Sequence, residues 1–108
     1  MLMLARLLGA CAFILLSAAA PGTAAERCHD VETAETQWQG TKGRQELSRL
    51  GVVGGSYKVL PSGEGFIVEA VLYFRGGGKM AYRKYHSRSA GFPGPIALAR
   101  LYRHVKAR

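Results

Sequence analysis

After Glu69 the chain contains no Asp or Glu, while the same 39 residues carry nine Lys and Arg. The nine are Arg75, Lys79, Arg83, Lys84, Arg88, Arg100, Arg103, Lys106 and Arg108. Residues 26–69 hold seven acids against five bases, so the excess positive charge belongs to the second half. Such asymmetry points to an anionic partner or an acidic patch on another protein, and says little about fold. Cysteine is nearly absent, with Cys11 and Cys28 alone. Beyond the N-terminal segment, no apolar run approaches the ~20 residues of a membrane-spanning helix. There is no Gly-x-Ser-x-Gly, no Walker loop and no paired-His zinc motif. Gly76-Gly77-Gly78 lacks the downstream Lys-Ser/Thr and the following helix of a phosphate loop. These absences leave no motif-defined enzyme class to argue for.

What is present begins with an address. Met1 to Arg6 forms a short positive n-region, Leu7 to Leu16 an apolar run, and 17–25 a small-residue stretch suited to signal peptidase. Cleavage after Ala25, with Thr23 at minus three, is expected; a cut after Ala20 would place Pro21 immediately downstream. Leu8-Gly9-Ala10-Cys11 resembles a lipobox, but Cys11 lies inside the apolar run rather than after it, so it reads as part of the signal. The expectation is a periplasmic or secreted bacterial protein with one domain over 26–108.

Cys28 would then be the only cysteine, which suggests a free thiol or an intermolecular disulfide, although an incidental Cys on a frayed N-terminus is the simpler expectation. Cys28-His29-Asp30 is too compact for a metal site, and His86 and His104 have no motif linking them to it. Neither a metal nor a cofactor is expected.

Residues 26–51 read as mostly helical, interrupted at Gly40 and Gly43. Val31, Ala34 and Trp38 form an apolar stripe, and Thr41 is placed to cap a second helix over 42–50. Trp38 reads as core more readily than as a ligand-stacking ring. Gly51 stands where a helix takes a left-handed C-terminal residue. Tyr57 to Leu60 predicts a short strand ended by Pro61-Ser62-Gly63; Phe66 to Phe74 is the strongest strand, and Lys79 to His86 returns after the glycines. Closure over the three glycines 76–78 puts Phe66, Val68, Ala70, Leu72 and Phe74 on one face with Met80 and Tyr82. Glu69, Lys79 and Arg83 then take the other, which avoids burying charge. Gly91-Phe92-Pro93-Gly94-Pro95 reads as a breaker. The helix Ile96 to Lys106 follows, with Leu98, Leu101, Tyr102 and Val105 on its apolar face. The fold class is α+β: an N-terminal helix, a three-stranded antiparallel meander, and a C-terminal amphipathic helix on the sheet. Phe66, Val68, Leu72, Phe74, Met80, Leu98, Leu101 and Val105 are its expected core.

Glu46-Leu47-Ser48-Arg49-Leu50-Gly51, then Tyr57-Lys58-Val59, Phe66-Ile67-Val68-Glu69-Ala70 and Gly78-Lys79-Met80-Ala81-Tyr82, resembles the PepSY-type domains of exported bacterial proteins. The resemblance covers about half of residues 26–108. It departs at the exit of the third strand, where Ser87-Arg88-Ser89-Ala90-Gly91 replaces the usual Asp-Pro-x-Thr-Gly, and the basic C-terminal helix is additional. It implies a non-catalytic regulatory or binding module of a class thought to modulate proteases, with no catalytic residues to carry over.

Two other readings use the residues directly. Tyr82, Tyr85 and Tyr102 interleave with cations, and Arg83, Lys84, Arg88, Arg100, Arg103 and Lys106 are the candidate basic surface. In an exported protein that surface meets anionic envelope polymers, lipid headgroups or an acidic protein rather than cytosolic nucleic acid; otherwise it is a solvated face that keeps the chain soluble. Reversing Arg100, Arg103 and Lys106 to Glu is expected to remove binding without unfolding. The enzyme alternative is a small secreted ribonuclease using Glu69, Arg75, Arg83, His86 and His104. Against it, Glu69 opposite a cation reads equally as a cross-strand ion pair.

Overall fold

The computed structural model describes residues 27–107. The expected signal peptide, its cleavage point and Cys11 lie outside the described residues. The element order is β1 (Arg27–Cys28), α1 (Val31–Gln39), α2 (Thr41–Arg49), β2 (Val52–Ser62), β3 (Gly65–Phe74), β4 (Lys79–Ser87), β5 (Phe92–Pro93) and α3 (Pro95–Lys106). Strands β2-β3-β4 form an antiparallel meander, and β1 pairs with β5 in a separate two-stranded ribbon. The expected α+β class and its C-terminal helix on the sheet are what the chain adopts.

Asp30 starts α1 by accepting the Thr33 N–H at 2.7 Å, leaving the first turn capped. The helical segment breaks once, at Gly40, whose extended backbone ends α1 and opens α2. Thr41 is thus the first helical residue and not the cap. Gly43 does not interrupt α2: a Cβ there would overlap the Gln37 carbonyl, so the glycine lets the two helices approach backbone to backbone. Gly51 follows α2 with φ +93°, as a left-handed C-terminal residue should.

The meander has the predicted side-chain parity, although the β3–β4 hairpin closes over residues 75–77 and not over the three glycines. Leu72 faces Met80, Ala70 faces Tyr82 and Glu69 faces Arg83, so the even residues of β3 and β4 share the core face. β2 is longer than the expected Tyr57–Leu60. It runs through Pro61, tolerated on an edge strand, and turns at Gly63-Glu64 with Ser62 opposite Gly65. A register shift at Val53, between Val52 and Gly54, is the one irregularity in that pairing.

The core joins Tyr57, Phe66, Val68, Ala70, Leu72 and Phe74 of the sheet to Ala34, Leu47, Leu98 and Ala99 of the helices. Met80 is only partly buried. Two expectations fail at α3: Leu101 is 42 % exposed and Val105 50 % exposed. The helix instead turns Pro95, Leu98, Ala99 and Tyr102 toward the core, and the expected breaker segment ahead of it is itself structured. Phe92 is fully buried with its ring 5.1 Å from Phe66, and it fixes where α3 begins. The ribbon holding Phe92 joins the start of the described chain to a Pro-Gly segment more than sixty residues away.

Candidate anion-binding site

The β3–β4 hairpin turns through Arg75-Gly76-Gly77, and Gly78 closes it. Phe74 donates its N–H to the Gly78 carbonyl at 2.8 Å and accepts the Gly77 N–H at 3.0 Å. Gly76 and Gly77 take φ of +92° and +101°, which side-chain-bearing residues rarely adopt. Tyr102 of α3 lies flat on Phe74, and a Cβ on Gly78 would overlap its hydroxyl. The bare loop is what allows the end of α3 to settle beside it.

Three cations meet there. Arg75 is pinned twice to the end of α2: its N–H donates to the Gly51 carbonyl at 2.7 Å, and its Nη2 to the Ser48 carbonyl at 3.0 Å. Arg103 rests its Nη1 3.3 Å from where Gly51 would carry a Cβ. Lys106 places Nζ 5.8 Å from the Tyr102 ring centroid, a cation–π distance. These side chains and the glycine loop line an open cleft of about 600 Å³ with no Asp or Glu among the described residues of its wall. Among the described residues, none of the three cations has a carboxylate partner. The carbonyl dipoles at the end of α2 offset part of the charge. The remainder is a positive field open to solvent, which attracts anions.

The other predicted basic residues do not join this cluster. Arg83 points from the open face of the sheet and donates Nε to Glu69 at 2.7 Å, so Glu69 forms the expected cross-strand ion pair. Lys84 is exposed on the free edge strand β4. Arg88 stacks its guanidinium 5.1 Å above Phe66; Phe66 and Phe74 are eight residues apart along β3, about 26 Å. Arg100 donates to Glu46 Oε2 at 3.1 Å while Arg49 holds Oε1 at 2.7 Å, tying α3 to α2. Hydrogen bonds from Arg49 and then Arg100 hold the Glu46 carboxyl below the usual range. The single basic surface read from the sequence is thus several separate places, and only Arg103 and Lys106 of the six share one.

No protein-family model, curated protein or solved structure matches this chain. The site must be judged on its own geometry.

Glu69 and His86 occupy opposite faces of the sheet, since their positions differ in parity across the β3–β4 register. His86 is 8 % exposed on the core face, with Nε2 2.8 Å from the Tyr82 hydroxyl; burial lowers its pKa, aided by Arg27 and Lys84. An acid–base pair of these two would need both on one side. Cys28 is not on a frayed end: it is 2 % exposed within β1, its Sγ 3.9 Å from Gln37 Nε2. Burial, and then Asp30, push its thiol pKa up. An intermolecular disulfide there would require the β1–β5 ribbon to open. No three His, Cys, Asp or Glu side chains converge among the described residues, and no helix there is long and apolar enough to cross a membrane. Trp38 packs against the core with its ring 6.4 Å from Tyr57.

Arg75 was visible as a cation beside a glycine run, but nothing in the sequence placed it against Arg103, 28 positions later.

Proposed function

We propose that this protein is an exported, non-enzymatic binding module of the bacterial envelope, and that it holds an anionic group between the Arg75-Gly76-Gly77-Gly78 loop and the end of α3. The convergence of Arg75, Arg103 and Lys106 in an acid-free cleft carries the reading. An Arg fork suits a phosphate or carboxylate, and Lys106 adds a point charge. The separation of Glu69 from His86 supports a binding role over the ribonuclease alternative.

The test is co-sedimentation of residues 26–108 with vesicles of phosphatidylcholine, with and without phosphatidylglycerol, over a salt series. Binding to the anionic vesicles should fall steeply with salt, as screening requires. Arg103→Glu with Lys106→Glu should abolish it, while Arg83→Glu with Arg88→Glu should leave most of it. Equal losses from both pairs would mean a diffuse basic surface, and no salt-sensitive binding would sink the reading for lipid headgroups.

The succession of a helix stop at Gly51 and an antiparallel meander favours a second reading, a PepSY-like regulator docking on an acidic protein surface. Binding that the Arg103/Lys106 pair abolishes, but that survives moderate salt through apolar contacts, would distinguish it.

A further inference from the structure

A second cleft, of about 550 Å³, opens on the other side of Arg75, between α2 and the outer edge of β2. Its apolar wall is Trp38, Leu47, Val52 and Val53, and its charged wall is Arg44 and Arg75. The volume is within the ordinary range of small-ligand sites. Three features set it apart from an accidental groove. The register shift on β2 turns Val53 outward, leaving an aliphatic side chain 62 % exposed beside a partly buried Trp. A Cβ on Gly54 would meet nothing within 4 Å, so the residue after Val53 leaves space rather than filling it. Both arginines are steadied by backbone carbonyls, Arg44 Nη1 by Trp38 at 3.1 Å and Arg75 Nη2 by Ser48 at 3.0 Å, and no Asp or Glu lines the cleft.

We propose that the Trp38 cleft binds a small apolar carboxylate, with the hydrocarbon part against Trp38 and Val53 and the carboxylate between Arg44 and Arg75. Two guanidinium groups at one rim of an apolar wall complement a single anionic head on a water-averse body. A neutral apolar molecule would leave the arginines without a counter-charge, and a fully polar anion would gain nothing from Trp38 and Val53. The same chemistry is offered by a medium-chain fatty acid and by the free C-terminus of a short apolar peptide. This site shares Arg75 with the one at the end of α3, while Arg44 belongs to it alone.

Trp38 is the only tryptophan in the chain, so its fluorescence reports on this cleft directly. Octanoate, octanol, and an acetylated Val-Val-Phe peptide as free acid and as amide are titrated against residues 26–108. A saturable blue shift with octanoate or with the peptide acid, and not with octanol or the amide, is expected; which acid responds identifies the source. Arg44→Gln should weaken that binding roughly tenfold, as loss of one charge-assisted contact does. Val53→Asp should abolish it while leaving the thermal transition in place, because Val53 is exposed. Arg103→Glu with Lys106→Glu should not affect it, so failure here and failure of the α3 site are separately readable. The proposal is overturned if no acid gives a saturable change, if octanol binds as well as octanoate, or if Arg44→Gln and Val53→Asp bind like the parent chain.

Discussion

Tyr102 lies on Phe74 with ring centroids 3.9 Å apart and planes 10° from parallel, and its hydroxyl fills the place a Gly78 side chain would need. That stack sets the end of α3 against the hairpin and brings Arg103 and Lys106 beside Arg75. Gly78→Ala should therefore cost about 1–3 kcal/mol, as overpacking does. Adding Tyr102→Phe, which removes the hydroxyl, should recover part of it. Urea unfolding of the two single variants and the double variant measures the coupling; strict additivity would show that the hydroxyl is not the obstacle.

Leu72 is fully buried at the centre of the core face, so Leu72→Ala should lose about 2–5 kcal/mol, from lost transfer energy and the cavity left behind. Val105→Ala, on the exposed side of α3, should change stability by no more than about 0.5 kcal/mol. Thermal unfolding of both checks which face of the helix is buried. Similar losses at the two positions would contradict the roll of α3.

Arg100→Glu should destabilise the domain by about 1 kcal/mol, less at high salt, because the new carboxylate faces Glu46 where a cation now holds it. Arg103→Glu should leave the unfolding midpoint close to that of the parent chain. The Arg100–Glu46 ion pair sets this contrast against the expectation that all three helix cations can be reversed without unfolding. Denaturation of each variant at low and high salt separates fold from binding.

His86 makes stability depend on pH. Its folded pKa is depressed, so the unfolded chain takes up the proton first as pH falls. Stability from this group is fully present above about 6.5, the ordinary histidine value, and is lost progressively as pH falls toward the folded pKa. Urea midpoints should accordingly drop between about pH 7.5 and 5.5, and His86→Asn should flatten the slope in that window. An unchanged slope in the variant would place the dependence elsewhere.

Much of the meander was legible in the sequence for a simple reason. Side chains alternate with period two, and a slip of one residue would have buried Lys79 and Arg83, so local pattern alone chose the parity, while the loop itself moved to Arg75-Gly76-Gly77. The stop at Gly51 was legible because only glycine takes φ of +93° without strain. The ribbon was not, since Arg27–Cys28 and Phe92–Pro93 are too short to carry a periodicity and gain their order only from pairing with each other. Leu101 and Val105 misled because a helical stripe gives an apolar arc without saying which part of it meets the core.

The sequence by itself determined the α+β class, the pairing parity of β3 and β4, and the removal of all acid from the second half. Those properties are local, written in neighbouring side chains or in composition. Tertiary structure decided which cations act together. Arg83 went to Glu69 and Arg100 to Glu46, while Arg75, Arg103 and Lys106 converged with no carboxylate partner among the described residues. Charge along a chain carries no information on distance in space. That distance was set by the packing of Tyr102 on Phe74 over a glycine with no side chain to prevent it.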